Sequence, residues 1–197
     1  MQETLETSEI FSALADEAQA PAPRAIYPAT PLAAGFAEVA QLIEADIGIE
    51  IAFLEADGWD THTGQGGASG MLARLLGELA SALAAFRIDL GEQLADVCVL
   101  IMSEFGRTVT DNRSGGADHG HATPMLGPGG TLRGGRVAGI WPGLAPGQLI
   151  EVRGLTVTAD FRSLFGEIAD RHLGNPNIAA LFPRFHPAAN PPPGVIA

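Results

Sequence analysis

Residues 49–56, IEIAFLEA, and residues 96–103, DVCVLIMS, are the two apolar runs on which the fold reading turns. Each is far shorter than the roughly 20 apolar residues a membrane helix needs. Between them, residues 69–88, SGMLARLLGELASALAAFRI, place Leu72, Leu75, Leu76, Leu79, Leu83 and Phe86 along one stripe at helical spacing, with Ser69 as N-cap. A strand, helix, strand crossover of that length normally makes its two strands parallel and right-handed. The nearly continuous apolar character of 96–103 fits a strand covered on both faces. The expectation is therefore an α/β layer structure with a mostly parallel sheet. The carboxyl ends of both strands would then share one edge, where open α/β sheets bind ligands.

Upstream, residues 1–20 read as an acidic, Ala-rich helix, and APAPRAIYPATP, with prolines at 21, 23, 28 and 31, as an extended arm. Phe36, Val39, Ile43 and Ile47 recur at helical spacing in LAAGFAEVAQLIEADIG. Downstream, residues 111–136 form a Gly-rich polar stretch too long to be a simple connector. RVAGIWPGL reads as a short strand and turn. TADFRSLFGEIADRHLG reads as a helix with Asp160 as N-cap, Leu164, Phe165, Ile168 and Leu173 as apolar face, and Gly174 as stop. The tail FPRFHPAANPPPGVIA is expected to be irregular. The organisation is thus an arm (1–29), one α/β domain (30–185) and a Pro-rich tail (186–197).

The formal charge is −12 and all 11 basic residues are arginine, which argues against nucleic acid or an anionic membrane as partner. The start, MQETLETSEIF, lacks the basic-then-apolar order of a secretory signal, so the chain reads as cytoplasmic by default, or exported if a natural N-terminal half carries a signal. Cys98 is the single cysteine and lies in an apolar run, which fits a buried, reduced thiol. GPGGTLRGG lacks the Lys-Ser/Thr ending of a phosphate-binding loop, and no GxSxG elbow is present.

The chemistry concentrates at loops. Asp60 and His62 stand two apart in GWDTHTGQG after the first run, Glu104 follows the second, and His119 and His121 lie beside Asp118 in GGADHGHATP. A divalent cation takes that mixture of carboxylate and imidazole. Structural alternatives exist for each: an Asx-turn at Asp60, a solvated loop histidine at His62, a cap or an Arg107 pair for Glu104. His172 reads as a favourable charge at a helix end and His186 as an exposed residue among prolines. Ser103 precedes Glu104 without a recognisable orienting base.

The segments GWDTHTGQG, MSEFGRTVTDN, GGADHGHATPMLGPGGTLRGGRVAGIWPGL and TADFRSLFGEIADRHLG resemble the family called domain of unknown function 1501, from about Tyr27 to about Pro183. That family is itself similar to the alkaline phosphatase and sulfatase superfamily. The resemblance implies a three-layer α/β/α sandwich and a one- or two-metal site hydrolysing phosphate or sulfate esters, with zinc first and calcium or manganese as alternatives. It matches Asp60 and His62 to a ligand pair, although the superfamily usually separates that pair by three residues. It puts Glu104 at an Asp ligand position and Phe105 where a second metal would have a histidine. It matches His119 or His121 to a later histidine ligand, and Arg107 is expected to bind the anionic ester.

The superfamily's nucleophile and a further Asp ligand come from an N-terminal half that the residues before Tyr27 do not resemble. The chain is therefore expected to be the C-terminal half of such a domain, a homo-oligomer, or both. The alternative expectation is a non-catalytic metal- or partner-binding α/β module.

Overall fold

The computed structural model describes residues 22–189 and 191–197. The expected helix at 1–20 lies outside the described residues. The chain forms two compact units that divide between Gln93 and Leu94.

The first unit is built on two helices. α1, Pro31–Glu44, begins where Thr30 accepts a hydrogen bond from the Ala33 N–H on its hydroxyl, and Pro31 occupies the first helical turn, where no partner for its nitrogen is needed. α2, Met71–Leu90, starts after Gly70 rather than at Ser69 and runs two residues beyond the expected end. The two pack together, with the Phe36 and Phe86 rings 5.1 Å apart and tilted at 55°. The buried residues of α1 are Ala33, Phe36, Ala40 and Leu42; those of α2 include Leu75, Leu79, Ala82, Ala85, Phe86 and Leu90. Of the α1 stripe read from sequence only Phe36 is buried, and Leu76 of the α2 stripe is exposed.

Residues 49–56 carry no regular secondary structure. Leu54 packs against Gly35 of α1, at a distance that would crowd any Cβ there. Ile51 and Phe53 are 73% and 82% exposed. A strand has no stability of its own; it forms only where a neighbour takes its backbone groups. The run therefore does not appear as the expected strand.

The second unit is a mesh of short antiparallel contacts. β1, Gly106–Arg107, pairs with β2, His119–Gly120, in the register Gly106↔Gly120 and Arg107↔His119. Residues 97–101 meet 126–129 through isolated antiparallel bridges at Cys98↔Gly129 and Ile101↔Leu126. Cys98 is half-buried, and burial pushes its thiol pKa up, as befits an unreactive thiol. Among the described residues all β pairing is antiparallel, so what is observed is a mixed α and β protein with a small two-stranded sheet. No described helix is long and apolar enough to cross a membrane.

α3, Phe161–Arg171, starts at Asp160, whose carboxylate accepts from the Arg162 N–H and forms an ion pair with the Arg162 guanidinium. That side-chain hydrogen bonding from Arg162 holds the Asp160 pKa below the usual range. α4, Ile178–Leu181, packs on α3 where Gly166 meets Ile178. The buried face of α3 is Ser163, Gly166, Glu167 and Ala169, not the larger apolar residues, and Leu173 is exposed.

The tail departs from expectation at its far end. Arg133 N–H donates to the Val195 carbonyl and Ala197 N–H to the Thr131 carbonyl, both at 2.8 Å, around a Leu132↔Ile196 bridge. Two further N–H groups of this segment, those of Gly194 and Ile196, donate to the Glu167 carboxylate at 2.7 and 2.9 Å.

Candidate functional site

In the first unit, the WDTHT loop is shaped by two consecutive tight turns. Thr61 N–H donates to the Trp59 carbonyl and His62 N–H to the Asp60 carbonyl. Thr61 is buried, and its hydroxyl donates to Gln65 at 2.7 Å. With Thr61 turned inward, its two neighbours present their side chains together. His62 Nε2 lies 3.2 Å from Asp60 Oδ1, with about half of each side chain exposed.

That spacing fits a shared ion. Ligand atoms at 2.0–2.2 Å from a tetrahedral zinc stand about 3.3–3.6 Å from one another. A carboxylate oxygen and an imidazole nitrogen are the donors such an ion takes.

In the second unit, β1 and β2 carry Arg107 and His119 opposite each other. Gly106 and Gly120 make the close approach feasible. A Cβ on Gly120 would lie 2.6 Å from the Arg107 carbonyl oxygen, and one on Gly106 would overlap the Ala122 carbonyl. The Phe105 ring stacks on the His119 imidazole at 3.9 Å and 20°, and the Arg107 guanidinium lies 5.7 Å from the same Phe105 ring. Phe105 thus acts as a platform that fixes the plane of the exposed His119 ring. His121 lies elsewhere, its Nδ1 against Gly154. Glu104 is exposed at the bend before β1. The Ser103 hydroxyl donates to the Phe105 carbonyl at 2.8 Å.

Sequence reasoning missed what occupies Asp118. Its Oδ1 accepts from the Asn112 side-chain amide at 2.9 Å and its Oδ2 from Arg153. Asn112 Oδ1 in turn accepts the N–H groups of Ser114 and Gly116, closing the loop on itself. Asp111, Asn112, Arg113, Asp118 and Arg153 line an open cleft of about 330 Å³. The local signal for part of this was present: an Asn followed at two and four residues by Ser and Gly is an Asx-type turn pattern.

No curated protein and no solved structure matches the chain. A family model does, over residues 6–177, which covers the DTH, SEFGR and DHGH segments. On that match the chain belongs to the family described as "Protein of unknown function (DUF1501)".

Proposed function

We propose that the chain is a metal-binding, hydrolase-like protein of the alkaline phosphatase and sulfatase superfamily, acting on phosphate or sulfate esters. The observation that carries this reading is the Asp60–His62 pair, a carboxylate and an imidazole 3.2 Å apart on an exposed loop. In the second unit, Glu104 and His119 are proposed as ligands, with His121 as the alternative to His119. Arg107 is proposed to bind the anionic ester through charge-assisted hydrogen bonds. Zinc is the first candidate metal, with calcium or manganese next; when bound, such an ion supplies Lewis-acid activation of the ester. Phe105 would set the direction in which His119 offers its donor nitrogen.

The same reading takes residues 49–56 and 96–103 as strand positions of an alkaline-phosphatase-like α/β/α sandwich, of which this chain resembles the C-terminal half. Exposed Ile51 and Phe53 support it, since they are the side chains such a sandwich would cover. A second reading, a metal- or partner-binding module without turnover, draws on Ser103: the hydroxyl beside Glu104 is engaged by a backbone carbonyl rather than by a base.

Calorimetric titration with zinc, manganese and calcium, joined to hydrolysis assays on p-nitrophenyl phosphate and sulfate, tests both. Asp60→Ala and His62→Ala should each weaken metal binding about tenfold or more, an effect at least as large as losing an outer-shell partner. Of His119→Ala and His121→Ala, only one should do so. Metal-dependent turnover supports the enzyme, and metal binding without turnover supports the module. Binding that ignores Asp60→Ala and His62→Ala overturns the site.

A further inference from the structure

Four buried side-chain oxygens of the first unit lack a hydrogen bond of good geometry: the Tyr27 hydroxyl, which faces Asp89, both oxygens of Glu44 and Oδ2 of Asp89. They belong to residues from three places, the arm before α1, the end of α1 and the last turn of α2. Asp89 is 1% exposed and the Glu44 side chain 2%. Both carboxylates are engaged by the same arm residue. Asp89 Oδ1 accepts the backbone N–H groups of Arg24 and Ala25, at 2.5 and 2.9 Å, while the Arg24 guanidinium stands 3.5 Å from Glu44 Oε1. That guanidinium is 60% exposed, so water screens much of its charge.

Two carboxylates this deeply buried cannot both be ionised cheaply beside one screened cation. Orphaned buried oxygens demand donors. One proton on Glu44, together with the Tyr27 hydroxyl hydrogen, provides two donors to this group of acceptors, while Asp89 Oδ1 keeps the two arm amides. We propose that Glu44, Asp89, Tyr27 and Arg24 form a proton-dependent latch that holds the arm segment Arg24–Tyr27 onto α1 and α2, closed while Glu44 is protonated and loosened once it ionises.

The direction follows from the environment. Burial, opposed by Arg24 and reinforced by Asp89, raises the Glu44 pKa above the usual carboxylate value. A raised carboxyl stabilises the closed state fully below its ordinary pKa, and that contribution is lost as pH rises through the raised value. The latch is therefore firm below the ordinary carboxylate pKa and weakens as pH rises through the raised Glu44 value. The charged and titratable groups facing Glu44 are Arg24 and Tyr27 from the arm and Asp89 from α2.

Amide hydrogen exchange by NMR, corrected for intrinsic rates, reads the latch directly at the Arg24 and Ala25 N–H groups. In the wild-type chain their protection should fall by about an order of magnitude between pH 5 and pH 8. In Glu44→Gln, which keeps the shape but cannot ionise, protection should be level across that range. Asp89→Asn should lower protection at every pH, because the carboxyl group that accepts both arm amides is replaced by an amide. Circular dichroism verifies that both variants keep their helices. If Glu44→Gln unfolds the first unit, Tyr27→Phe, which removes one donor to these carboxylates and so disfavours their ionised form, should move the wild-type transition to higher pH. PH-independent protection in the wild type, or the same fall in Glu44→Gln, overturns the proposal.

Discussion

Replacing Glu167 probes how the segment Gly194–Ala197 is held. The carboxylate is fully buried on α3, with one oxygen on each of two N–H donors, Gly194 at 2.7 Å and Ile196 at 2.9 Å. Hydrogen bonds to a charged group contribute about 1.5–3 kcal/mol each, so Glu167→Ala removes roughly 3–6 kcal/mol from the docked segment. What remains is two backbone hydrogen bonds, worth about 1 kcal/mol each, and the burial of Ile196, worth about 1.5–3 kcal/mol. Those terms oppose an ordering cost of about 1–2 kcal/mol per residue over four residues. The balance turns against docking, and the segment should detach while α3 stays folded.

Glutamine sharpens the test. Its amide can accept from one of the two donors, but it then points an NH₂ at the other. Glu167→Gln should therefore release the segment almost as fully as alanine, despite its near-identical shape. The assay is exchange protection of the Gly194 and Ile196 amides, with the methyl shifts of Ile196 as a second reporter of its loss of burial. Full protection of both amides in Glu167→Gln would refute the reasoning, since it would mean that shape and not the paired acceptors holds the segment.

Three further outcomes are expected. Val152→Gly should stabilise the chain, because Glu151 and Val152 both hold left-handed backbone, φ 51° and 63°, at the tip of the Ile150↔Gly154 hairpin. Relief of about 1–2 kcal/mol less about 0.5–1 kcal/mol for the freer unfolded glycine leaves a gain of up to about 1.5 kcal/mol in a thermal melt, and a loss would count against that turn. Asp160→Ala should cost about 1 kcal/mol through the missing cap. Because Arg162 holds the Asp160 pKa down, the cost should be complete above the usual Asp range and vanish as pH falls through the lowered value, as urea titrations at several pH values would show. Gly106→Ala should separate β1 from β2, abolishing the upfield ring-current shift that Phe105 imposes on the His119 ring protons; an unchanged shift would contradict the close approach.

The helices were legible in the sequence because their signal is local. Asp160 before Phe161 and the leucine spacing of 72–86 each act within a few residues, whereas Thr30 and Pro31, which start α1, read as the end of the arm. Their buried faces were less legible. The reading followed large apolar residues, of which Phe36, Leu75, Leu79 and Phe86 are buried, and passed over Ala33, Ala40, Ala82 and Ala85, buried beside them, as it passed over Gly166 and Ala169 of α3. Small residues let backbones approach closely, yet they carry little weight in a hydrophobic stripe. The apolar runs failed for a different reason. IEIAFLEA and DVCVLIMS announce burial, but what a run pairs with is a non-local fact. Residues 97–101 found antiparallel partners at 126–129, which are Gly- and Pro-rich and gave no strand signal.

The candidate site divides along the same line. Asp60 and His62 were readable as a pair because one intervening residue, turned inward, is enough to set them side by side. Asp118 looked equally eligible, next to His119 in a glycine loop, but Asn112 and Arg153 already occupy its two oxygens. Arg153 is 35 residues away, and no local pattern indicates it. This difference makes a usable distinction between the two acids. Asp60 is half-exposed beside an imidazole, so an ion can reach it without dismantling a fold element. Asp118 must give up the closure of its own loop before it can bind anything. Substituting Asp118 should therefore disturb the 108–118 loop whether or not metal is present, whereas substituting Asp60 should matter chiefly when metal is supplied.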